Sequence, residues 1–309
     1  MVLEKAAITG ASGMTGRHFV DVLCERGIEV IATSRSACAI RGRKVEWINW
    51  DLGCWLSNRE LDTIFKKSQA IFHVGAYVPI TSEDRSYQMI LDVNVRACAC
   101  LAEWALNRNI PFVYISGSTV YADPYKKGIK EHFKKTSGEF GGFYGYSKLL
   151  AEQTLQYFAN KGLKLTILRA SSIYGSGLNR TKLIAKMLHK AIDNETIELT
   201  PPINNSYNLI HARDVATAAL EAVHKEAYDI YNIAYNKSYS LIEIAKNAIE
   251  IANSGKLVLP SDEPHNKART LFDLDCKKAV EAFDFNPTID LRNGMLEMYK
   301  IQRLWAGNE

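Results

Sequence analysis

The sequence predicts an α/β protein: a doubly wound parallel sheet, followed by a smaller α/β lobe at the C-terminal end. Two observations carry this. Short apolar runs alternate with longer helical patterns through the first half, the pattern of a parallel sheet covered by helices. After about residue 170 that rhythm breaks into turns and shorter elements.

The apolar runs are Ala6–Thr9, Glu29–Thr33, Val45–Ile48, Ala70–His73, Pro111–Ile115 and Leu165–Leu168. Helical patterns fall between them near 14–26, 57–67, 86–108 and 143–160, and six strands with crossover helices describe a doubly wound fold. Beyond 170 a turn-rich stretch, Tyr174 to Asn179, precedes a helix near 180–192 and a Pro201-Pro202 break. A strand near 207–210, a helix from about 212 to 224, a strand–helix pair near 229–252, and helices near 276–283 and 290–304 complete the chain. We divide it into a first domain of residues 1–170, to which 207–232 returns, and a lobe of 171–206 and 233–309.

Composition narrows the function classes. With 309 residues, 47% hydrophobic and 23% charged, the chain suits a globular protein with a large core. No run approaches the roughly 18 apolar residues of a membrane span. The N-terminus runs straight into the first strand, so no signal peptide is expected and the cytoplasm is the expected compartment. The six cysteines, at 24, 38, 54, 98, 100 and 276, have no metal-ligand spacing and read as small core residues in a reducing compartment. A net charge of +4 without a basic stripe suits a small anionic ligand rather than nucleic acid.

The most informative local signal is Thr9-Gly10-Ala11-Ser12-Gly13-Met14-Thr15-Gly16, between the first strand and the first helix. Gly10 permits the turn, Gly13 lets backbone amides approach a pyrophosphate, and Gly16 allows close helix–strand packing. This is a dinucleotide loop of the Rossmann type. At the end of the second strand, where NAD binders carry an acid, stand Ser34 and Arg35. A hydroxyl followed by a guanidinium would hold a 2′-phosphate by charge-assisted bonds, so NADP is expected and NAD is the second choice. Arg41, Arg43 and Lys44 could add to that field.

Tyr144 and Lys148 lie four apart at the start of a helix and share one face. A phenol with a reference pKa near 10 is a weak base at neutral pH. A nearby ammonium and an oxidised nicotinamide are both expected to lower it, so that Tyr144 can take a proton in oxidation or give one in reduction.

In this order and spacing the motifs resemble the extended short-chain dehydrogenase/reductases, specifically the NAD-dependent epimerase/dehydratase group that acts on nucleotide sugars. The resemblance covers nearly the whole chain. It implies adenine contacts at Asp51 and Leu52, and cofactor contacts at Val74, Gly75, Ala76, Asn94, Lys148 and Ser171 beside Ser12, Met14 and Thr15 of the loop. It places substrate near Tyr77, Ser118, Ser172, Arg213 and Arg269, with a lid around Asn204 and Asn205. It further implies a homodimer, paired through the helices near 86–108 and 143–160.

Two departures refine this expectation. The family's catalytic hydroxyl falls three residues before Val120, where this chain has Gly117; Ser118 or Ser116 is then the substitute, Ser118 preferred. Gly117-Ser118-Thr119 replaces the Thr-Asp-Glu of sugar dehydratases, so water elimination lacks its acids. Three residues after Arg169 the Asn of many nucleotide-sugar members is Ser172. The expected function is NADP-dependent hydride transfer at a sugar carbinol or ketone carbon, as ketoreductase or epimerase. A non-sugar carbonyl reductase is the alternative. A non-catalytic NADP-binding regulator is the alternative of another class, opposed by the survival of Tyr144 and Lys148.

Overall fold

The computed structural model describes residues 2–35, 45–79, 86–261 and 268–306. Five parallel strands come first: β1 (Lys5–Thr9), β2 (Glu29–Ser34), β3 (Val45–Asn49), β4 (Ile71–His73) and β5 (Phe112–Gly117). They alternate with α1 (Met14–Glu25), α2 (Asn58–Phe65), and a long helix made of α3 (Tyr87–Leu91), a π-helical turn (Asp92–Arg96) and α4 (Ala97–Arg108). A 3-10 turn (Ser118–Val120), α5 (Gly142–Ala159) and β6 (Leu165–Ala170) follow. Next come β7 (Ser172–Tyr174), α6 (Leu183–Ile192), β8 (Thr196–Glu198), β9 (Ser206–His211), α7 (Ala212–His224) and β10 (Ile230–Ile233).

The main sheet has seven strands in the order β10-β6-β5-β4-β1-β2-β3, all parallel. The order reverses between β1 and β4, and the crevice above that point is where such sheets bind ligands. Side chains alternate across the sheet as strand geometry requires. Ile8 and Phe72 join Phe19, Leu23 and Leu220 on one face. Their neighbours Ala7 and Ile71 join Phe65, Leu101 and Leu155 on the other. Burial on both faces explains why the strand segments read as continuous apolar runs.

The lobe contains β11 (Ser238–Ser240), α8 (Leu241–Ala252), β12 (Lys256–Val258), β13 (Thr270–Leu271), α9 (Lys277–Phe283) and α10 (Leu291–Ala306). A small sheet runs β11-β9-β13 with β7 alongside β9, and β8 pairs β12. Leu188, Ile244 and Met295 fill the core beneath α6, α8 and α10. Ser57 with Glu60, and Ser240 with Glu243, form capping boxes that start α2 and α8.

The expected domain boundaries shift in two places. Of the segment 207–232, α7 packs on α1 and β10 extends the main sheet beside β6, but β9 stays in the small sheet. Conversely α9, assigned to the lobe, returns to the first core, where Phe283 meets Tyr231 edge to face. Among the described cysteines Cys98 is buried, whereas Cys54 is exposed rather than part of a core; Cys38 lies outside the described residues. Among those residues no helix is long and apolar enough to cross a membrane.

Candidate active site

The glycine loop is shaped by backbone contact. Gly10 has φ +67°, and a Cβ there would lie 2.4 Å from Gly75 Cα. A Cβ on Gly16 would stand 2.1 Å from the Gly10 carbonyl oxygen, so α1 reaches the loop only because residue 16 is glycine. Gly13 is the N-cap of α1, no side chain caps it, and the first turn carries no acid. The first-turn amides of Met14, Thr15 and Gly16 therefore open toward the crevice with the positive end of the helix dipole. Ser12 closes the loop from below, its carbonyl accepting from Arg17 Nε at 2.9 Å.

The walls follow from the neighbouring strands. Ser34 is buried as the last residue of β2, and the exposed Arg35 follows in a bend. Arg41, Arg43 and Lys44 lie outside the described residues. Asp51 accepts the Gly53 amide at 2.9 Å, and Leu52 packs on Gly75 so tightly that a Cβ there would be 2.4 Å away from it. Val74 and Ala76 flank Gly75 at the end of β4, each half-buried. Ser171, at the end of β6, has a buried hydroxyl with no partner. The absence of a carboxylate at Ser34, the uncapped helix and this hydroxyl all fit an anionic dinucleotide.

Asn94 behaves differently from the expectation. It sits in the π-helical turn, a backbone form concentrated at functional sites. Its Oδ1 accepts the Tyr77 amide at 2.7 Å, while Nδ2 donates to the Tyr77 carbonyl and to Ser147 Oγ, both at 3.1 Å. Ser147 in turn donates to the Tyr144 carbonyl at 2.7 Å. With its amide so engaged, Asn94 ties the loop after β4 to the first turn of α5. Its effect on a cofactor would pass through Tyr77 and Tyr144.

Tyr144 and Lys148 share the sheet-facing side of α5. Lys148 is buried, donates to the Ile115 carbonyl at 2.9 Å, and lies 4.7 Å from the centre of the Tyr114 ring. Burial lowers its pKa to about 8. The same cause pushes Tyr144 up to about 12. The Lys148 ammonium by itself does not lower it, since burial is the cause that acts on the phenol. Lys148 is directed at the strand carbonyl, and loss of water around the phenol dominates. Tyr144 rests as a protonated acid.

Of the two candidate serines, Ser116 donates to Glu152 Oε1 at 2.6 Å. Glu152 lies eight residues along α5 from Tyr144, roughly 12 Å of helical rise. It belongs to a buried network in which Arg169 also holds Tyr121 Oη, at 3.1 Å, and Tyr121 donates to Asn232. Ser116 is therefore a structural donor, which corrects its assignment as a catalytic hydroxyl. Ser118 is buried at the start of the 3-10 turn, beside the site.

The substrate-side expectations divide. Tyr77 is held by Asn94, and Ser172 is exposed at the start of β7. Arg269 is exposed and stacks 5.3 Å from the Tyr125 ring centre, with its amide donating to Asn205 Oδ1. Arg213 pairs with Glu25 at the far end of α1, because α7 packs along that helix and meets its acidic edge.

Nearby, His18, His211 and Glu297 gather within 4.8 Å, a donor set that could suggest a metal. His211 Nδ1 accepts the Arg213 amide, so the neutral ring carries its proton on Nε2, which faces Glu297 at 3.8 Å. A protonated nitrogen is a donor and not a ligand. The two rings meet edge to face at 5.1 Å and lock α1 against the start of α7.

Comparison with known proteins agrees with this architecture. The profile of the NAD dependent epimerase/dehydratase family matches residues 6–234. The uncharacterized protein YbjS of Escherichia coli K12 is 26% identical over 263 residues, covering 81% of this chain and 75% of the relative. A dTDP-4-dehydro-6-deoxy-D-allose reductase of Streptomyces is 23% identical over 320 residues, covering 96% and 95%. The structure of MoeE5 in complex with UDP-glucose and NAD has a TM-score of 0.81 at 22% identity, covering 98% of this chain and 99% of that one. Sequence order, sheet topology and this match together place the chain in the NAD dependent epimerase/dehydratase family, as an enzyme of the extended short-chain dehydrogenase/reductase type.

Proposed function

We propose that this enzyme is an NADP-dependent ketoreductase acting on a sugar carbonyl, with a nucleotide-linked sugar as the substrate class. The observation that carries the reading is the placement of Tyr144 and Lys148 four residues apart on α5, with the buried Lys148 ammonium anchored on the Ile115 carbonyl of β5. Tyr144 is protonated at neutral pH and so is in the form that reduction needs, a phenol that can give its proton to a carbonyl oxygen. When bound, the nicotinamide supplies the hydride. Tyr144 gives its proton to the carbonyl oxygen, and Lys148, close to neutral pH in affinity, favours the resulting phenolate and returns a proton from solvent.

Ser34 and Arg35 support NADP over NAD, since nothing acidic at that point repels a 2′-phosphate. The Streptomyces relative is named as a reductase of a dTDP-linked keto-sugar, and the MoeE5 structure holds UDP-glucose, which supports a nucleotide-linked sugar as substrate. Arg269 remains the exposed cation for such a ligand. A homodimer through α3, α4 and α5 is part of the proposal; exposed Tyr87, Met89, Leu91 and Tyr157 on these helices support it. A cytoplasmic location is also part of it.

The test couples turnover to binding. Nucleotide-linked keto-sugars should oxidise NADPH in the presence of the enzyme, and Tyr144→Phe should abolish this while NADPH still binds. Isomerisation of a nucleotide sugar without net NADPH consumption would overturn the reductase reading in favour of an epimerase. Binding without turnover across sugar and non-sugar carbonyls, unchanged by Tyr144→Phe, would favour a regulator.

A further inference from the structure

Gly117 leaves a gap in the site that the neighbouring chain fills. Its backbone is extended, at φ −148° and ψ 162°, so glycine is not required there by conformation. A Cβ built on it would meet Thr119 Oγ1 at 3.6 Å and the Ala170 carbonyl at 3.9 Å, with nothing closer. The strand does not continue through this point: residues 118–120 form a 3-10 turn, and that turn brings residue 119 round toward the side of residue 117.

Thr119 is fixed there by Gly141, the N-cap of α5, and by Gly145 in its first turn. A Cβ on Gly141 would lie 3.1 Å from Thr119 Cβ, and one on Gly145 would lie 2.8 Å from the Thr119 carbonyl oxygen. Gly145 directly follows Tyr144. The hydroxyl of Thr119 is buried and makes no hydrogen bond. Buried hydroxyls are nearly always partnered, and the exceptions call for an explanation such as a catalytic role.

The geometry points to Thr119 as the catalytic hydroxyl that holds the substrate's reacting oxygen beside Tyr144, in place of the side chain that Gly117 lacks. This rests on the carbonyl-reduction reading above. The Thr119 hydroxyl donates to the carbonyl oxygen while Tyr144 transfers its proton there. The donor aligns the oxygen and stabilises the charge that develops on it. Thr119 supersedes Ser118 as the preferred residue because its oxygen borders the vacant Gly117 position and lacks a partner.

The experiment is steady-state kinetics with NADPH and a keto-sugar substrate on Thr119→Val, Thr119→Ser and the double variant Gly117→Ser/Thr119→Val, with Tyr144→Phe alongside. Valine keeps the shape against Gly141 and removes only the hydroxyl. We expect Thr119→Val to lower kcat roughly a hundredfold, with NADPH affinity unchanged. Thr119→Ser should stay near the parent, and Gly117→Ser should recover at least about tenfold in the valine background, since its hydroxyl enters the same space. Full kcat in Thr119→Val, an equal loss in Thr119→Ser, or no recovery by Gly117→Ser would overturn the assignment. Should Tyr144→Phe retain turnover, the carbonyl-reduction reading itself falls. Should Tyr144→Phe silence the enzyme while Thr119→Val does not, only the role of Thr119 falls.

Discussion

Arg169 and Glu152 form an ion pair with essentially no solvent contact: Arg169 Nη2 lies 2.6 Å from Glu152 Oε2, and Nε bonds both carboxylate oxygens at 3.0 and 3.2 Å. The guanidinium also reaches the Glu131 carbonyl at 2.7 Å, and Glu152 accepts from Ser116. The pair joins α5 to β5 and β6, directly beneath the lysine of the site. Removing one charge strands the other in low dielectric, at a cost of roughly 3–5 kcal/mol. Glu152→Ala should lower the urea midpoint accordingly without a change in slope. A loss under about 1 kcal/mol would mean that water enters to solvate Arg169.

Lys148 gives a pH signature of the same sign as a salt-bridged carboxylate, moved into the alkaline range. Its folded pKa is near 8 and its unfolded reference is 10.5. Between those values the unfolded chain binds more protons, so stability should rise with pH through this window, offsetting part of the usual alkaline decline. Lys148→Met should remove that rise and shift the melting temperature upward near pH 7, by a few degrees. Melting curves of both proteins from pH 7 to 10.5 test it; parallel curves would show Lys148 to be hydrated.

Three buried histidines act in the acid range. His73 and His211 are held near pKa 3 chiefly by burial, and His18 is lowered by the same cause. Their unfolded reference is 6.5. Protons that the folded state excludes bind the unfolded chain, so stability should fall as pH drops below 6.5. Each excluded proton adds about 1.4 kcal/mol per pH unit to the slope. Unfolding free energy measured between pH 7 and 4.5 should steepen by that amount for each of His73 and His211, with His18 acting in the same direction, and His73→Gln should flatten it by one such step. An unchanged slope in His73→Gln would show that this ring protonates without unfolding.

How much of this was legible from sequence depends on whether local spacing alone decides the contact. Gly10 and Gly16 were readable because their roles belong to one loop between one strand and one helix. Tyr144 and Lys148 were readable because a spacing of four fixes a shared helix face. Their electrostatics were not, since the direction of the Lys148 ammonium depends on Ile115 and Tyr114, far away in the chain. The partner of Ser116 was not readable, because Glu152 lies 36 residues away on α5. A bend at Gly117 was expected, but not that it continues as a 3-10 turn through residue 120. The partner of Arg213 was not readable either: only the packing of α7 along α1 brings Glu25 to it. The partners of Asn94 needed a π-helical turn, for which the sequence carries no marker.

The coenzyme preference supplies the last prediction. Ser34 ends β2 with its carbonyl accepting the Trp50 amide at 2.9 Å, so the backbone at this corner is anchored independently of the side chain. A change of side chain should therefore act on the ligand and leave the corner in place. Ser34→Asp introduces the carboxylate that accepts from a ribose hydroxyl and repels a 2′-phosphate. Arg35→Ala removes the guanidinium that would pair with that phosphate. A hydrogen bond to a charged group contributes roughly 1.5–3 kcal/mol, so Arg35→Ala should weaken NADPH about tenfold or more and leave NADH almost untouched. Ser34→Asp should weaken NADPH further and strengthen NADH, which reverses the preference. Fluorescence titration of both coenzymes against the three proteins measures this directly. A parent enzyme that binds NADH more tightly, with neither substitution altering the ratio, would show that the corner of β2 does not read the phosphate and that NAD is the coenzyme.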